Sequence, residues 1–484
     1  MMEEKTFYIR VASPVHIGCD EVYDPAGFIL NEERMTLITF EPMDFFRGLS
    51  AQDKIRYASI CGKGTVESIM ELYKFMKGKS FDGHRVGACK GLIAQYSKTL
   101  SISTGDRRRI QQELNNFSIA RTAFHPATQK PYIPGSAIKG ALRTAYLNQL
   151  AKNKTGSFAA DRRDRNPSNT LEKTLLDYQK LENDPFRLLK ISDFYPASPC
   201  KTKIVYAVNA KKAPSRFPAR GPFQILEVID TGSVFSGTIQ ILQPLSREII
   251  KTPLSGEKVL GSAHAFYEKE KKREDEELQN AGLPVLRTDA DGRICPLRIG
   301  RHSGAESLTI EGHRHIKIMK KRGERPDFSN KSTTFWLASD IPDSTKTEGL
   351  RPFGWVNLGL MTKALSERLA AIQEEQENVS TTRTHETEPE AIPVPEKATM
   401  QTVIIEETWE QASVYFDAGR GGVITAAGPD RKKAEIRGKD KALSITDERL
   451  HKKLFDGKKT LPKACVTVRK VGNAWEIVKI DPAA

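Results

Sequence analysis

Pro131-Tyr132-Ile133-Pro134-Gly135-Ser136-Ala137-Ile138-Lys139-Gly140-Ala141-Leu142-Arg143-Thr144-Ala145-Tyr146 carries the transition on which the reading of this chain turns. A short β-like segment, a Pro-Gly turn and Ser136 as the expected N-cap lead into a helix. Its residues Ile138, Ala141, Leu142 and Ala145 recur at helical spacing as a buried stripe. Lys139 and Arg143, four positions apart, are then expected on the opposite, exposed face. A cation in the first turn opposes the positive end of the helix dipole, so two cations there make sense beside an anion held by free N–H groups and side chains together. The nucleotide pattern G-x-x-x-x-G-K-[ST] fails here, because Gly140 is followed by Ala141-Leu142, and G-x-G-x-x-G is absent. A backbone phosphate of a polyanion fits this turn better than a nucleoside triphosphate.

Outward from this stretch, β and α signals alternate without regular βαβα order. Thr6–Ala12, Gly27–Leu30 and Met35–Phe40 read as strands, Met43–Ser59 and Val66–Met76 as helices, and Ile119–Phe124 as a strand before a turn. Asn153–Thr170 reads as a polar insertion, Phe223–Asp230 with Gly237–Leu242 as a hairpin, and Phe353–Leu360 as a late strand. His264–Gln279 reads as a charged helix with a solvated, salt-bridged surface. The mixture points to an α+β fold with ferredoxin-like (RRM-like) units. Residues 1–220 and 221–365 are expected to form two such domains, and 366–398, rich in Glu and Pro, a linker.

Residues 399–484 show period-two apolar alternation in Ala412–Asp417, Val423–Ala427, Lys433–Arg437, Ala464–Lys470 and Ala474–Ile480, with a short helix expected over Thr446–Phe455. Three strands, a helix and two strands is the order of a small β-barrel of OB type. Tyr415, Phe416 and Trp475 suit either nucleic-acid contact or a plain core.

The 484 residues hold 75 Lys and Arg against 61 Asp and Glu, a net charge of +14. By segment this becomes +15 for residues 1–365, −5 for 366–398 and +4 for 399–484. A basic body of this size suggests a polyanionic partner. No apolar run reaches the roughly 18 residues of a membrane span, and Met-Met-Glu-Glu-Lys at the start is not a signal peptide, so a cytoplasmic protein without membrane contact is expected. The six cysteines lie far apart with no C-x-x-C pair, which argues against a zinc ribbon or a disulfide framework.

The quoted stretch closely resembles the P-G-S-x-[IL]-K-G-x-x-R glycine-rich turn of the RAMP superfamily in type III CRISPR effector complexes. Further similarities follow in order: Ser13-Pro14-Val15-His16-Ile17-Gly18, Asp184-Pro185-Phe186-Arg187, Glu227-Val228 through Gly232-Ser233-Val234-Phe235-Ser236-Gly237, Arg298-Ile299-Gly300-Arg301-His302-Ser303-Gly304, and Gly354-Trp355-Val356. The set is most similar to the fifth subunit of the Csm (type III-A) complex. That resemblance implies two RRM-like RAMP domains. It also implies a place capping the backbone filament at the 3′ end of the CRISPR RNA and a part in that RNA's maturation. The partners it implies are the guide RNA, a neighbouring RAMP backbone subunit, a small helical subunit and recruited host nucleases.

The RNA-binding residues expected on these grounds are Gly135, Ser136, Lys139, Gly140, Arg143, Arg298, Gly300, Arg301, Ser303 and Gly304. Glycine turns let a main chain approach phosphates closely. No RNP1 aromatic consensus is present, so sequence-specific stacking on a sheet is not expected. The run His313 to Arg322 alternates cationic and apolar residues, as a strand with one basic face would, and His313 and His315 lack a third metal ligand. No cofactor, metal or catalytic residue is expected. The alternative is a metal-independent endoribonuclease in which His16 and His125 serve as acid and base.

Overall fold

Phe7, Ile9 and Val11 are buried while Tyr8 between them is half-buried and Thr6 and Arg10 are exposed, the alternation of a half-buried strand. They lie in the first strand of the computed structural model, which describes residues 2–79, 81–103, 106–153, 166–213, 219, 221–246, 248–286, 294–320, 323–343, 345–385, 406–417, 423–428, 432–437, 443–456, 460–471 and 474–483. The chain divides into two units, Met1–Thr387 and Glu388–Ala484.

The first unit begins with β1 (Met2–Val11), β2 (Gly18–Val22), β3 (Phe28–Asn31), β4 (Thr36–Thr39), α1 (Pro42–Gly48), α2 (Ala51–Gly62), α3 (Val66–Met76) and β5 (His84–Ala88). There follow α4 (Lys90–Leu100), α5 (Arg107–Asn116), β6 (Ile119–Thr122), α6 (Gly135–Asn153), α7 (Pro167–Leu176), β7 (Leu189–Ile191), β8 (Tyr195–Pro196) and β9 (Thr202–Lys211). It continues through β10 (Gln224–Ile229), β11 (Val234–Ile241), α8 (Gly256–Asn280), β12 (Cys295–Arg298), β13 (Ile316–Ile318) and β14 (Asp327–Ser329). It ends with β15 (Thr334–Ser339), β16 (Arg351–Pro352), β17 (Trp355–Leu360) and α9 (Lys363–His385).

Two sheets organise this unit. The first runs β12-β17-β1-β11-β7, with β8 also on β11, and every pair is antiparallel. One of its faces packs on α6 and α8, where Ile138, Leu142, Ala145, Val259, Ala263 and Phe266 share one core with Ile9, Phe235 and Ile239. Truncating a fully buried stripe residue such as Leu142 to Ala would cost about 2–5 kcal/mol. The second sheet runs β2-β6-β10-β9-β5-β4-β3, with β15 on β9 and β16 on β15, and α1 to α5 pack on it around Phe28, Tyr73, Tyr96 and Phe117. In the second unit β18 (Glu406–Asp417), β19 (Val423–Ala427), β20 (Lys433–Arg437), β21 (Thr460–Val471) and β22 (Ala474–Pro482) close a barrel in the order β18-β19-β20-β22-β21. A short helix, Glu448–His451, lies between its third and fourth strands.

Several expectations change. The boundary at residue 220 does not divide the sheets, since each takes strands from both sides of it. Phe223–Asp230 and Gly237–Leu242 do not pair as a hairpin. β10 belongs to the second sheet and β11 to the first, because the turn between them gives its hydrogen bonds elsewhere: the Gly232 amide to the Val11 carbonyl, and the Asp230 amide to that of Lys201. Met43–Ser59 is two helices broken at Leu49 and Ser50, where the Ser50 side chain accepts the Asp53 amide and starts a new helix. The end of the polar insertion opens a helix, Pro167–Leu176, that runs beyond it, and 154–165 lie outside the described residues. The run from His313 is strand only over Ile316–Ile318, with 321 and 322 outside the described residues. The last part of the expected linker, 386–398, also lies outside them, while the larger part, 366–385, is helical and belongs to α9. No helix among the described residues is long and apolar enough to cross a membrane.

Candidate functional site

Three of the singled-out turns interlock through their main chains. The Trp355 carbonyl accepts the Ala12 and Ser13 amides, both at 3.0 Å, and the Gly354 amide donates to the Pro14 carbonyl at 2.9 Å. The Ile299 amide donates to the Gly354 carbonyl at 2.9 Å and the Arg301 amide to the His16 carbonyl at 2.8 Å. Gly300 and Gly354 have φ of +81° and +86°, and a Cβ on either would stand 2.5 Å from the His16 carbonyl oxygen or 2.4 Å from that of Ile299. Only glycine allows this approach.

The side chains of this seam divide sharply. Arg298 is buried, its guanidinium bonded to the Glu274 carboxylate at 2.5 Å and to the Phe353 carbonyl at 3.0 Å, and it lies over the Trp355 ring. Ser303 is also buried, its hydroxyl donating to the carbonyls of Ile299 and Gly300. Neither can meet a phosphate in this arrangement, so the expected clamp contracts to Arg301, which is exposed and makes no ion pair among the described residues. Arg301 borders a surface concavity of about 370 Å³ with Phe223, Gln224 and Ser118. His302 (φ +64°) turns inward onto Trp336, with ring centres 4.6 Å apart. Burial, followed by the charge of Arg301, pushes its pKa down to about 4.

Behind the turn stands an ionic network. Glu274 accepts from Arg298 and from the Trp355 indole, Glu270 pairs with Arg273 and Arg314, and Glu306 pairs with Lys212. Glu270, Glu274 and Glu306 are each at most 3 % exposed. The solvated surface expected for this part of α8 is therefore a buried polar seam that fastens residues 298–314 to the helix.

At the quoted stretch, α6 starts at Gly135, and its cap comes from far along the chain. The Asp193 carboxylate, 58 residues away, accepts the Gly135 amide at 2.9 Å, so Ser136 is not the N-cap. The anion expected at this helix end is supplied by the protein itself. A Cβ on Gly135 would stand 2.5 Å from the Ile191 carbonyl oxygen, whereas Gly140 faces open space. Lys139 and Arg143 do not share an exposed face. Lys139 donates to the Leu189 carbonyl at 2.9 Å, and burial, with Lys190 nearby, lowers its pKa. Arg143 is held by Glu172 and Asp184 at 2.8 and 2.9 Å and lies over Phe186. Exposed Ser136 and half-buried Lys139 border an open cleft with Lys190, Ser192 and Gln240.

Of the histidines expected in the alternative, His125 is exposed and His16 is 1 % exposed, its Nδ1 against the Glu227 carbonyl at 2.7 Å. Sealed in, with its pKa lowered by burial, His16 cannot reach a ribose hydroxyl. Sequence reasoning missed that Glu227 is itself buried. Its carboxyl accepts the Thr122 amide, and burial pushes its pKa up. Among the described residues no group of three His, Cys, Asp or Glu is placed to hold a metal. In the barrel Phe416 is core, Tyr415 is exposed, and Trp475 is half-buried beside Lys432 and Lys470.

The family model of the RAMP superfamily matches residues 8–334. The chain belongs to that superfamily. No curated protein matches it. Similar solved structures include a chain from the cryo-EM structure of a Csm–crRNA–target RNA ternary complex of a type III-A CRISPR-Cas system, 18 % identical with a TM-score of 0.48 over 74 % of this chain and 100 % of that one. Another is the crystal structure of T. onnurineus Csm5, 16 % identical with a TM-score of 0.39 over 72 % of this chain and 99 % of that one.

Proposed function

We propose that the protein is an RNA-binding structural subunit of a type III-A CRISPR (Csm) ribonucleoprotein, which caps the backbone filament near the 3′ end of the CRISPR RNA and supports its maturation. The carrying observation is that motifs spread over more than 300 residues of the chain, Ser13–Gly18, Arg298–Gly304 and Gly354–Val356, meet as one interlocked set of glycine turns. Superfamily membership and the net charge of +14 support the same reading. We read β1, α6, β7, β11, α8 and β17 as one ferredoxin-like unit, because their order along the chain and in the sheet is that of a βαββαβ fold. Gly135, Ser136, Lys139, Gly140 and Arg301, with Gly300 and Gly304 shaping the second turn, remain the motif residues on which guide phosphates would lie.

Co-expression with a neighbouring RAMP backbone subunit, a small helical subunit and a guide precursor tests the reading. The expected result is a complex whose RNA has a defined 3′ end, with longer or heterogeneous RNA when this chain is omitted. RNA of unchanged length and a filament that assembles equally well without it would overturn the proposal.

A further inference from the structure

The face of the first sheet turned away from α6 and α8 carries a pattern that no motif revealed. Tyr195 of β8 stands opposite Ser236 of β11, Ser236 opposite Tyr8 of β1, and Tyr8 opposite Gly359 of β17. Directly opposed residues in antiparallel strands project to the same side, so the row reads aromatic, small, aromatic, small. At about 4.8 Å per strand the two tyrosines stand about 10 Å apart, with only a serine between them. A Cβ on Gly359 would stand 2.6 Å from the Tyr8 ring, so the missing side chain lets that ring lie across the strand.

Tyr195 is 46 % exposed. It stacks on Tyr132, with ring centres 5.9 Å apart and planes at 24°, and meets His125 edge-on. Thr6, Thr238 and Gln240 add polar groups, and the one aliphatic residue opposite Arg10, Val234, is buried at the margin, so the face lacks the aliphatic centre of a protein-docking surface. Its cations are placed for a polyanion. Exposed Arg10 lies two residues beyond Tyr8, and exposed Lys190 stands opposite Gln240, four positions along β11 from Ser236 and so about 13 Å away on the same side. Glu4 and Asp193 border the face, and Asp193 is already engaged by the Gly135 amide.

We propose that this open face, with Tyr8 and Tyr195 as its stacking pair, binds unpaired bases of single-stranded RNA while the phosphates follow Arg10 and Lys190. The proposal rests on the RNA-binding reading above and adds where bases, rather than phosphates, are held. Stacking of this kind tolerates any sequence, since every base has a π face.

Fluorescence anisotropy of the full chain with labelled oligouridine, and with an RNA duplex of equal length, provides the test. Tyr8→Ala and Tyr195→Ala should each weaken single-strand binding at least about fivefold, the loss of one stacked base. Duplex binding and the salt slope should stay unchanged, and Tyr195→Phe should retain affinity. Ultraviolet crosslinking of the unsubstituted chain should join uridine to peptides containing Tyr8 or Tyr195. Unchanged affinity in both alanine variants, or crosslinks confined to other peptides, overturns the platform. If Arg301→Ala then still weakens binding, RNA binding itself survives. A chain that binds neither RNA overturns both readings.

Discussion

The α8 seam and the open face of the first sheet use charged and aromatic residues in opposite ways. In the seam Arg298 and Trp355 are wrapped around Glu274 and buried, so their chemistry is directed inward and holds turns in place. On the sheet face Arg10, Lys190 and Tyr195 are exposed and cover no core. A motif rich in Arg, Gly and His can thus be structural in most of its members. Residues with the look of a ligand surface can lie outside any motif. In the 298–304 turn only Arg301 belongs to the second category.

The largest effect should separate the two regions outright. Glu274→Ala leaves Arg298 buried without its partner and should destabilise the first unit by about 3–5 kcal/mol, read by chemical denaturation. The exposed-face change Lys190→Ala should leave the denaturation midpoint unmoved. A mild Glu274→Ala would mean that the seam is not the clamp described.

Acid should reach the seam side first. Unfolded His302 takes up a proton near pH 6.5 but the folded form only near 4, so stability falls as pH drops between those values. Burial lowers the pKa of His16 too, which adds to the same window. For Glu306, burial works to raise the pKa, but Lys212 and the Ser332 amide outweigh it and hold the carboxyl at about 2. Its contribution is present above about pH 4.5 and is lost as pH falls toward 2. Denaturation midpoints across pH should fall in both windows, and His302→Gln should flatten the upper one. A flat profile between pH 6.5 and 4 would contradict the buried, neutral ring.

The smallest effect sharpens the comparison within a single turn. Arg301→Ala should weaken RNA binding and lower the salt slope by about 1 without changing stability, whereas Arg298→Ala should act chiefly on stability. Equal behaviour of the two variants in both assays would erase the distinction between inward and outward arginines.

Much of the fold was legible where periodicity is local. The α6 stripe and the barrel strands follow from residues close in sequence, and each occurs near its expected place. What failed depended on distant partners. Nothing near Ser136 announces that Asp193 will cap the helix, or that Glu172 and Asp184 will neutralise Arg143. β10 and β11 look like a hairpin because only four residues, Asp230 to Ser233, separate them, yet β9 and β1 take their edges. Absence of an RNP1 consensus excluded a stacking motif written along one strand. It was silent about Tyr8 and Tyr195, which become neighbours only across Ser236.

The central place of β1 in the first sheet also sets a timetable for synthesis. This strand leaves the ribosome before either of its partners, β11 and β17, and Tyr8 must wait for Gly359. At roughly 5–20 residues per second, the last of about 350 intervening residues emerges some 20–70 seconds later. The edge that takes β11 gains its partner part-way through that interval, but the edge that takes β17 lacks its native neighbour until the end, a condition that favours aggregation. Production of this protein should therefore be sensitive to chaperone supply and to elongation speed in a way its finished stability does not reveal.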